Sequence, residues 1–303
     1  MGDLQPSVPG LLPFAGTPLS AEPGGLLTPA DVTRLLSERG LAPRRAAGQN
    51  FVIDPNTVRR IVRTAGLSPA DEVLEVGPGL GSLTLGLAAA ARHVVAVEID
   101  AGFVAALDQV LAGVDNVEVV HADALTVDLE QLVAGRPVRA VANLPYNVAT
   151  PLLFRLLATP AVIDAYVMVQ REVGERWQAQ VGDPSYAGVS AKLALLAEVQ
   201  VELSIPRSVF HPVPNVDSVM VRVSRRPDAP DEATYRRLAT LIETAFSQRR
   251  KTLRNTLRSV ASRERLAAAA AEAGIDLGAR AESLDAAAIR RLDQALDRRA
   301  TDA

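Results

Sequence analysis

Four consecutive residues, Asn143-Leu144-Pro145-Tyr146, set a side-chain amide, a main-chain carbonyl, a rigid ring and an aromatic face side by side. Amide and carbonyl oxygens both accept hydrogen bonds, so together they can hold the two hydrogens of one exocyclic amine. The N6 amine of adenine is a poor nucleophile because its lone pair is delocalised into the ring. Two acceptors favour a tetrahedral nitrogen and stabilise the positive charge that develops when that nitrogen is alkylated. Proline orients the turn, and Tyr146 offers a ring for a base to stack on. No strong general base is needed, which suits a chain whose only imidazoles are His93, His121 and His211. An ordinary turn with a core tyrosine would use the same residue types, so the neighbouring motifs have to decide.

The segment Glu75-Val76-Gly77-Pro78-Gly79-Leu80-Gly81 spaces its glycines G-x-G-x-G, not G-x-G-x-x-G. Glycines there let the backbone turn tightly and approach a ligand, without specifying a pyrophosphate. Glu98 stands 21 residues after Gly77 at the end of the next apolar run. A carboxylate in that place can accept both hydroxyls of a ribose; alone it would read as a solvated strand end. Asp123 follows the third apolar run and can accept the exocyclic amine of an adenine ring. Gly, Glu and Asp at three successive strand tips are the lining expected for S-adenosylmethionine. Glu75 can reach the ammonium of that cofactor, and a structural role at the strand end explains it equally well.

Strand tips of this kind need a parallel sheet beneath them. Apolar runs at 72–76, 94–99, 117–120, 139–143 and 165–170 alternate with helical stretches at 80–92, 103–111 and 150–157, the last with Thr150 as N-cap. Runs buried on both faces and alternating with helices predict a doubly wound α/β sheet. Runs at 199–205 and 217–224 predict an antiparallel pair closing one edge. Thr28-Pro29-Ala30-Asp31 predicts a capped helix to about residue 39, whereas Ser68-Pro69-Ala70-Asp71 precedes a β-rich run and reads as a turn. Residues 1–27, rich in proline and glycine, read as a disordered leader. Residues 226–231 read as a linker, and Tyr235, Leu238, Leu241, Ile242, Ala245 and Phe246 then fall at helical spacing. The expected division is therefore a Rossmann-like domain over 28–226 and a small helical domain over 231–303.

Composition narrows the chemistry further. The 303 residues are 48% hydrophobic and 22% charged, enough to bury a proper core. With no cysteine and three histidines, disulfides, thiolate chemistry and a metal centre are not expected. No apolar run approaches the roughly 18 residues of a membrane span. The first cation is Arg34, so the N-terminus lacks the basic region of a targeting peptide. A soluble, cytoplasmic protein is expected. The net charge of −3 hides two basic islands, +4 over residues 44–63 and +6 over 222–258. Such islands suit a polyanion, although a solvated face is the commoner use of a charge run.

Together with Gly48-Gln49-Asn50-Phe51, the motifs above resemble the KsgA (RsmA) family of small-subunit rRNA adenine N6-dimethyltransferases. Phe210-His211-Pro212-Val213-Pro214-Asn215-Val216-Asp217-Ser218 matches that family's F-x-P-x-P-x-V-D-S segment. Ala245-Phe246-Ser247-Gln248-Arg249-Arg250-Lys251-Thr252-Leu253-Arg254-Asn255 matches its A-F-x-Q-R-R-K-x-x-R-N segment. The resemblance spans about residues 48–284 and departs at Ala47, where the family has Phe, and at Val52, where it commonly has Leu. It implies S-adenosylmethionine-dependent N6,N6-dimethylation of two adjacent adenines near the 3′ end of 16S rRNA, on an immature 30S subunit; a monomer is the default expectation. By the same resemblance Asn50, Val52, Gly77, Gly79, Glu98, Asp123 and Asn143 hold the cofactor. Tyr146 and Phe210 sandwich the flipped adenine beside Leu144 and Pro145, while Arg249, Arg250, Lys251 and Arg254 grip rRNA phosphates. An aromatic between two strands also suits a core, which leaves Phe210 with two readings.

Three alternatives frame this reading. An Erm-type enzyme acting on 23S rRNA shares the fold and the Asn-x-Pro-Tyr motif, but the 210–218 and 246–255 segments favour the small-subunit family. A ribosome-assembly factor with secondary methylation would use the same basic surface. A nicotinamide dehydrogenase requires the glycine spacing that is missing here. Trp177, on an expected helix after the fifth strand, reads as core, and His93 and His121 as packing or surface residues.

Overall fold

The computed structural model describes residues 25–43 and 48–301. Ala47, Arg44, Arg45 and all but the last three residues of the expected leader lie outside the described residues. Leu27, at that leader's end, is buried. The chain then enters α1 (Pro29–Glu38) through the expected capping box, in which Thr28 and Asp31 satisfy each other's main-chain N–H. A two-residue strand, β1 (Phe51–Val52), leads into α2 (Pro55–Ala65). Asp54 caps α2 by accepting from Thr57 N, and Gly66 ends it in the left-handed region.

Six elements follow in strict alternation: β2 (Glu72–Val76), α3 (Ser82–Ala90), β3 (His93–Glu98), α4 (Ala101–Val110), β4 (Val117–His121) and α5 (Leu129–Leu132). The chain continues through β5 (Val138–Asn143), α6 (Ala149–Ala158), β6 (Val162–Gln170), α7 (Arg171–Gln178), α8 (Gly188–Leu196) and β7 (Ala197–Ile205). A second two-residue strand, β8 (Phe210–His211), precedes β9 (Ser218–Arg225). Seven strands form one sheet in the order β4-β3-β2-β5-β6-β9-β7. β2 to β6 run parallel, and β9 lies antiparallel to both of its neighbours, β6 and β7. This is the expected Rossmann-like sheet, with the antiparallel pair at one edge. Adjacent residues feed opposite faces: Leu74 and Val95 join one core, Val73 and Val94 the other.

Strand order reverses between β2 and β5, so the chain leaves that seam in both directions. Open α/β sheets hold ligands at this switch point, outside the carboxyl ends of the strands. The glycine turn follows β2 and Asn143 ends β5, one on each side of the seam.

Some expected boundaries shift for local reasons. Gly81, not Leu80, starts α3 in a left-handed N-cap. Thr150 is not the cap of α6, which begins two residues earlier, with Val148 as its N-cap. Its hydroxyl instead accepts from Trp177 Nε1 at 3.2 Å, and Trp177 is buried in the core as expected.

Beyond the 226–231 connection come α9 (Glu232–Phe246), α10 (Leu253–Thr256), α11 (Arg263–Ala273) and α12 (Ala286–Thr301). They pack around Leu238, Ile242, Leu266, Ile289 and Leu292, and that core also takes Ala191 and Leu195 of α8. Tyr186 Oη donates to Leu284 O at 2.7 Å, a second tie to the segment around α8. Among the described residues no helix is long and apolar enough to cross a membrane, and no cluster of three or more candidate ligands could hold a metal.

Candidate active site

A cavity of about 380 Å³ opens at the switch point, within the range that holds small-molecule cofactors. Asn50, Gly77, Gly79, Glu98, Asp123 and Asn143, all expected from sequence, line it together. Gly79 sits at φ +58°, and a Cβ there would lie 2.5 Å from Phe51 Cε1. Only glycine therefore lets the Phe51 ring lie on the turn. Phe51 in turn meets Phe103 edge-on, with ring centroids 5.2 Å apart.

Glu98 is almost fully buried, and its carboxylate is fixed by two main-chain donors. Gly79 N–H donates to Oε2 at 3.0 Å and Asp100 N–H to Oε1 at 2.9 Å. Burial raises its pKa, and these amides offset part of the rise. Each oxygen keeps lone-pair capacity for a further hydrogen-bond donor. Asp123 Oδ1 accepts from Leu125 N at 2.9 Å on the next strand's tip. Glu75 lies deeper, fully buried, with Oε2 unpartnered among the described residues. Burial pushes its carboxyl up to about 8, with the Glu98 charge adding to the rise and the Thr84 hydroxyl opposing it.

Across the seam, Asn143 Nδ2 donates to the Asn50 main-chain oxygen at 2.6 Å. Asn143 Oδ1 is buried and has no hydrogen-bond partner among the described residues. An unmet acceptor in such a place costs stability and calls for a donor that the described residues do not supply. Leu144 N–H donates to Met168 O at 3.2 Å, which anchors the turn to β6. Tyr146 is half-buried, and its phenol shares a 2.8 Å hydrogen bond with Ser218 Oγ at the start of β9. Burial raises the Tyr146 pKa, so the phenol stays neutral.

Two expected contacts are placed elsewhere. Val52 is buried in the core that lies on the Val73 side of the sheet and does not line the cavity; its neighbour Phe51 does. Phe210 shows no exposed surface, because β8 pairs with β1 and the ring enters the same core as Met168 and Met220. A ring so enclosed cannot stack on a base from where it stands. Sequence alone suggests no individual role for Phe51 or Ser218; a phenylalanine directly after Asn50, in a chain that is 4% aromatic, is the available signal.

The second basic island divides in two. Arg226, Arg236 and Arg237 are taken by Asp228, Glu232 and Asp293. Arg249, Arg250, Lys251 and Arg254 are exposed around the turn after α9, and no ion pair engages them among the described residues. A larger cleft of about 970 Å³ lies between β7 and α12, but its Arg222, Arg226 and Arg290 are balanced by Glu198, Asp228 and Asp285. It contains none of the residues at the switch point.

Known proteins resemble this chain over most of its length. Residues 41–297 match the family described as "Ribosomal RNA adenine dimethylase". The "Ribosomal RNA small subunit methyltransferase A" of Thermobifida fusca (strain YX) is 49% identical over 274 residues, covering 88% of this chain and 95% of that protein. The protein of the same name from Moorella thermoacetica is 42% identical, covering 85% and 93%. Among solved structures, the 23S rRNA methyltransferase ErmE is 31% identical with a TM-score of 0.63, covering 82% of this chain and 99% of that one. A dimethyladenosine transferase from Plasmodium falciparum is 25% identical with a TM-score of 0.67, covering 79% and 94%. The cavity at the switch point, the buried carboxylate of Glu98 and the unmet Asn143 oxygen thus stand in a chain that belongs to the ribosomal RNA adenine dimethylase family.

Proposed function

We propose that this protein dimethylates N6 of two adjacent adenines near the 3′ end of 16S rRNA, acting in the cytoplasm as a monomer on an immature 30S subunit. The observation that carries the reading is the buried Asn143 Oδ1 without a partner among the described residues. Glu98 and Asp123 would hold the ribose and adenine of S-adenosylmethionine, beside the glycine turn at Gly77 and Gly79. That cofactor supplies an electrophilic methyl group on a sulfonium. In the first transfer Asn143 Oδ1 and the Leu144 carbonyl each accept one hydrogen of the target amine, turning its lone pair away from the ring; in the second transfer one of them accepts the single hydrogen that remains. The same two oxygens stabilise the positive charge that develops on nitrogen. Tyr146 offers its ring to the extruded base, while its phenol is held by Ser218. The proton released by the product amine passes to water, since His121 Nε2 is engaged with Ile99 O at 3.2 Å and is not needed.

The small subunit is favoured over the large one because the relatives named for it share up to 49% identity, against 31% for ErmE. Incubation with labelled S-adenosylmethionine and either unmethylated 30S particles or 23S rRNA tests the proposal. Label in N6,N6-dimethyladenosine from 30S is the expected result. Label from 23S alone would move the chain to the Erm reaction, and no label from either would leave an assembly factor.

A further inference from the structure

The Asn143 amide makes a single hydrogen bond among the described residues, and it makes it to main chain: Nδ2 donates to Asn50 O at 2.6 Å. Two oxygens at that distance would repel, so a carbonyl there dictates which end of the amide faces it. The other end, Oδ1, is then the one shown to the substrate. If the Asn50 carbonyl moved away, the amide could turn over and present N–H donors to an amine that is itself a donor.

The carbonyl is held from several sides. Asn50 Nδ2 donates to Gly48 O at 3.1 Å. Phe51 and Val52 pair with His211 and Phe210, and Ile53 N–H donates to Val209 O at 2.9 Å. Gly48 lies so close to the catalytic turn that a Cβ would be 2.7 Å from Tyr146 N. The side chain that locks this segment to the cofactor turn is Phe51, pressed on Gly79 and edge-on to Phe103.

We propose that Phe51 is a positioning residue for methyl transfer: it clamps residues 48–52 onto the glycine turn and so fixes the Asn50 carbonyl that aims the Asn143 oxygen at the substrate amine. The inference rests on the adenine-N6 reading above and adds a link to it. Gly79 carries both the N–H that holds Glu98 and the surface on which Phe51 sits. Cofactor turn and catalytic amide are therefore one mechanical unit.

The test uses the full chain and four variants: Phe51→Ala, Phe51→Leu, Asn143→Asp, and Phe51→Ala combined with Asn143→Asp. At saturating cofactor, Phe51→Ala should lower kcat about a hundredfold, the scale of a roughly ångström-sized misplacement, with KM for RNA little changed. Phe51→Leu should recover much of the rate. In Asn143→Asp the ionised carboxylate would have no hydrogen to give the Asn50 carbonyl, whereas the protonated acid has one and keeps an acceptor oxygen. The rate of Asn143→Asp relative to wild type should therefore rise as pH falls, and Phe51→Ala should abolish that rise. An unchanged kcat in Phe51→Ala, or a flat pH ratio for Asn143→Asp, would overturn the proposal. Should Phe51→Ala fail to fold, Phe51→Leu takes its place: it should lower kcat measurably and reduce the pH rise of Asn143→Asp, and the absence of both effects would overturn the proposal. A wild-type protein that methylates no adenine would instead remove the reading on which the inference rests, so the two failures remain distinct.

Discussion

Asn143 and Glu75 each carry a buried oxygen with no hydrogen-bond partner among the described residues, yet the two have different physical consequences. For Asn143 the unmet atom is an acceptor at the cavity, which the proposed function answers with a substrate donor. For Glu75 it belongs to a carboxyl that burial keeps protonated up to about pH 8. Below its ordinary value of 4.5, folded and unfolded chains both carry the proton, and Glu75 does not make stability depend on pH. Above it the unfolded chain releases the proton first, so stability falls as pH rises toward about 8 and then levels off. Glu75→Gln should remove this loss, on the order of 5 kcal/mol at most. Melting temperatures of the two proteins should diverge over that window, with the variant higher. Parallel melting curves across the window would show that Glu75 keeps its ordinary pKa. At this scale the sequence is most legible where chemistry dictates residue type. Asn143, Glu98 and Asp123 can be read from their places at strand tips. Phe210 cannot, since nothing local distinguishes a stacking ring from one that a strand pairing turns inward.

At the scale of elements, the site is built from turns and two very short strands. The five parallel strands are legible because buried strands leave unbroken apolar runs. β1 and β8, at two residues each, have no periodicity to read, although they join the cofactor segment to the segment before β9. α2 carries a signal in its cap rather than in its periodicity: Asp54 followed by Pro55 and Thr57 is a capped helix start, and the structure uses it as one. Gly79→Ala tests the element scale. Its positive φ alone costs about 1–2 kcal/mol for a residue with a Cβ, before the contact with Phe51 is counted. Cofactor affinity measured by calorimetry should fall at least tenfold. Affinity equal to that of wild type would show that the Phe51 contact does not shape the cavity.

For the whole molecule, the division of charge matters more than its sum. A net of −3 would not suggest a nucleic-acid partner. The structure sorts the cations: acidic neighbours take Arg226, Arg236 and Arg237, while the turn after α9 leaves Arg249, Arg250, Lys251 and Arg254 unpaired among the described residues. Sequence locates this island but cannot tell paired from unpaired members, because Asp293 reaches Arg237 from 56 residues away. Replacing those four unpaired cations by Ala should weaken RNA binding. The slope of log affinity against log salt should drop by about 0.7–0.9 for each phosphate that is no longer neutralised. Cofactor affinity should not change, since the switch-point cavity contains none of the four. A salt slope equal to that of wild type would remove this turn from the RNA surface.

The central claim is that the Asn143 oxygen stabilises the amine during methyl transfer, and the single-turnover rate of Asn143→Ala on unmethylated 30S particles tests it most directly. The rate should fall about 10²–10³-fold, as when one preorganised polar group is removed from a transition state, with cofactor affinity weakened far less. A rate within a few-fold of wild type would contradict the claim and return the unmet oxygen of Asn143 to an unexplained feature of the fold.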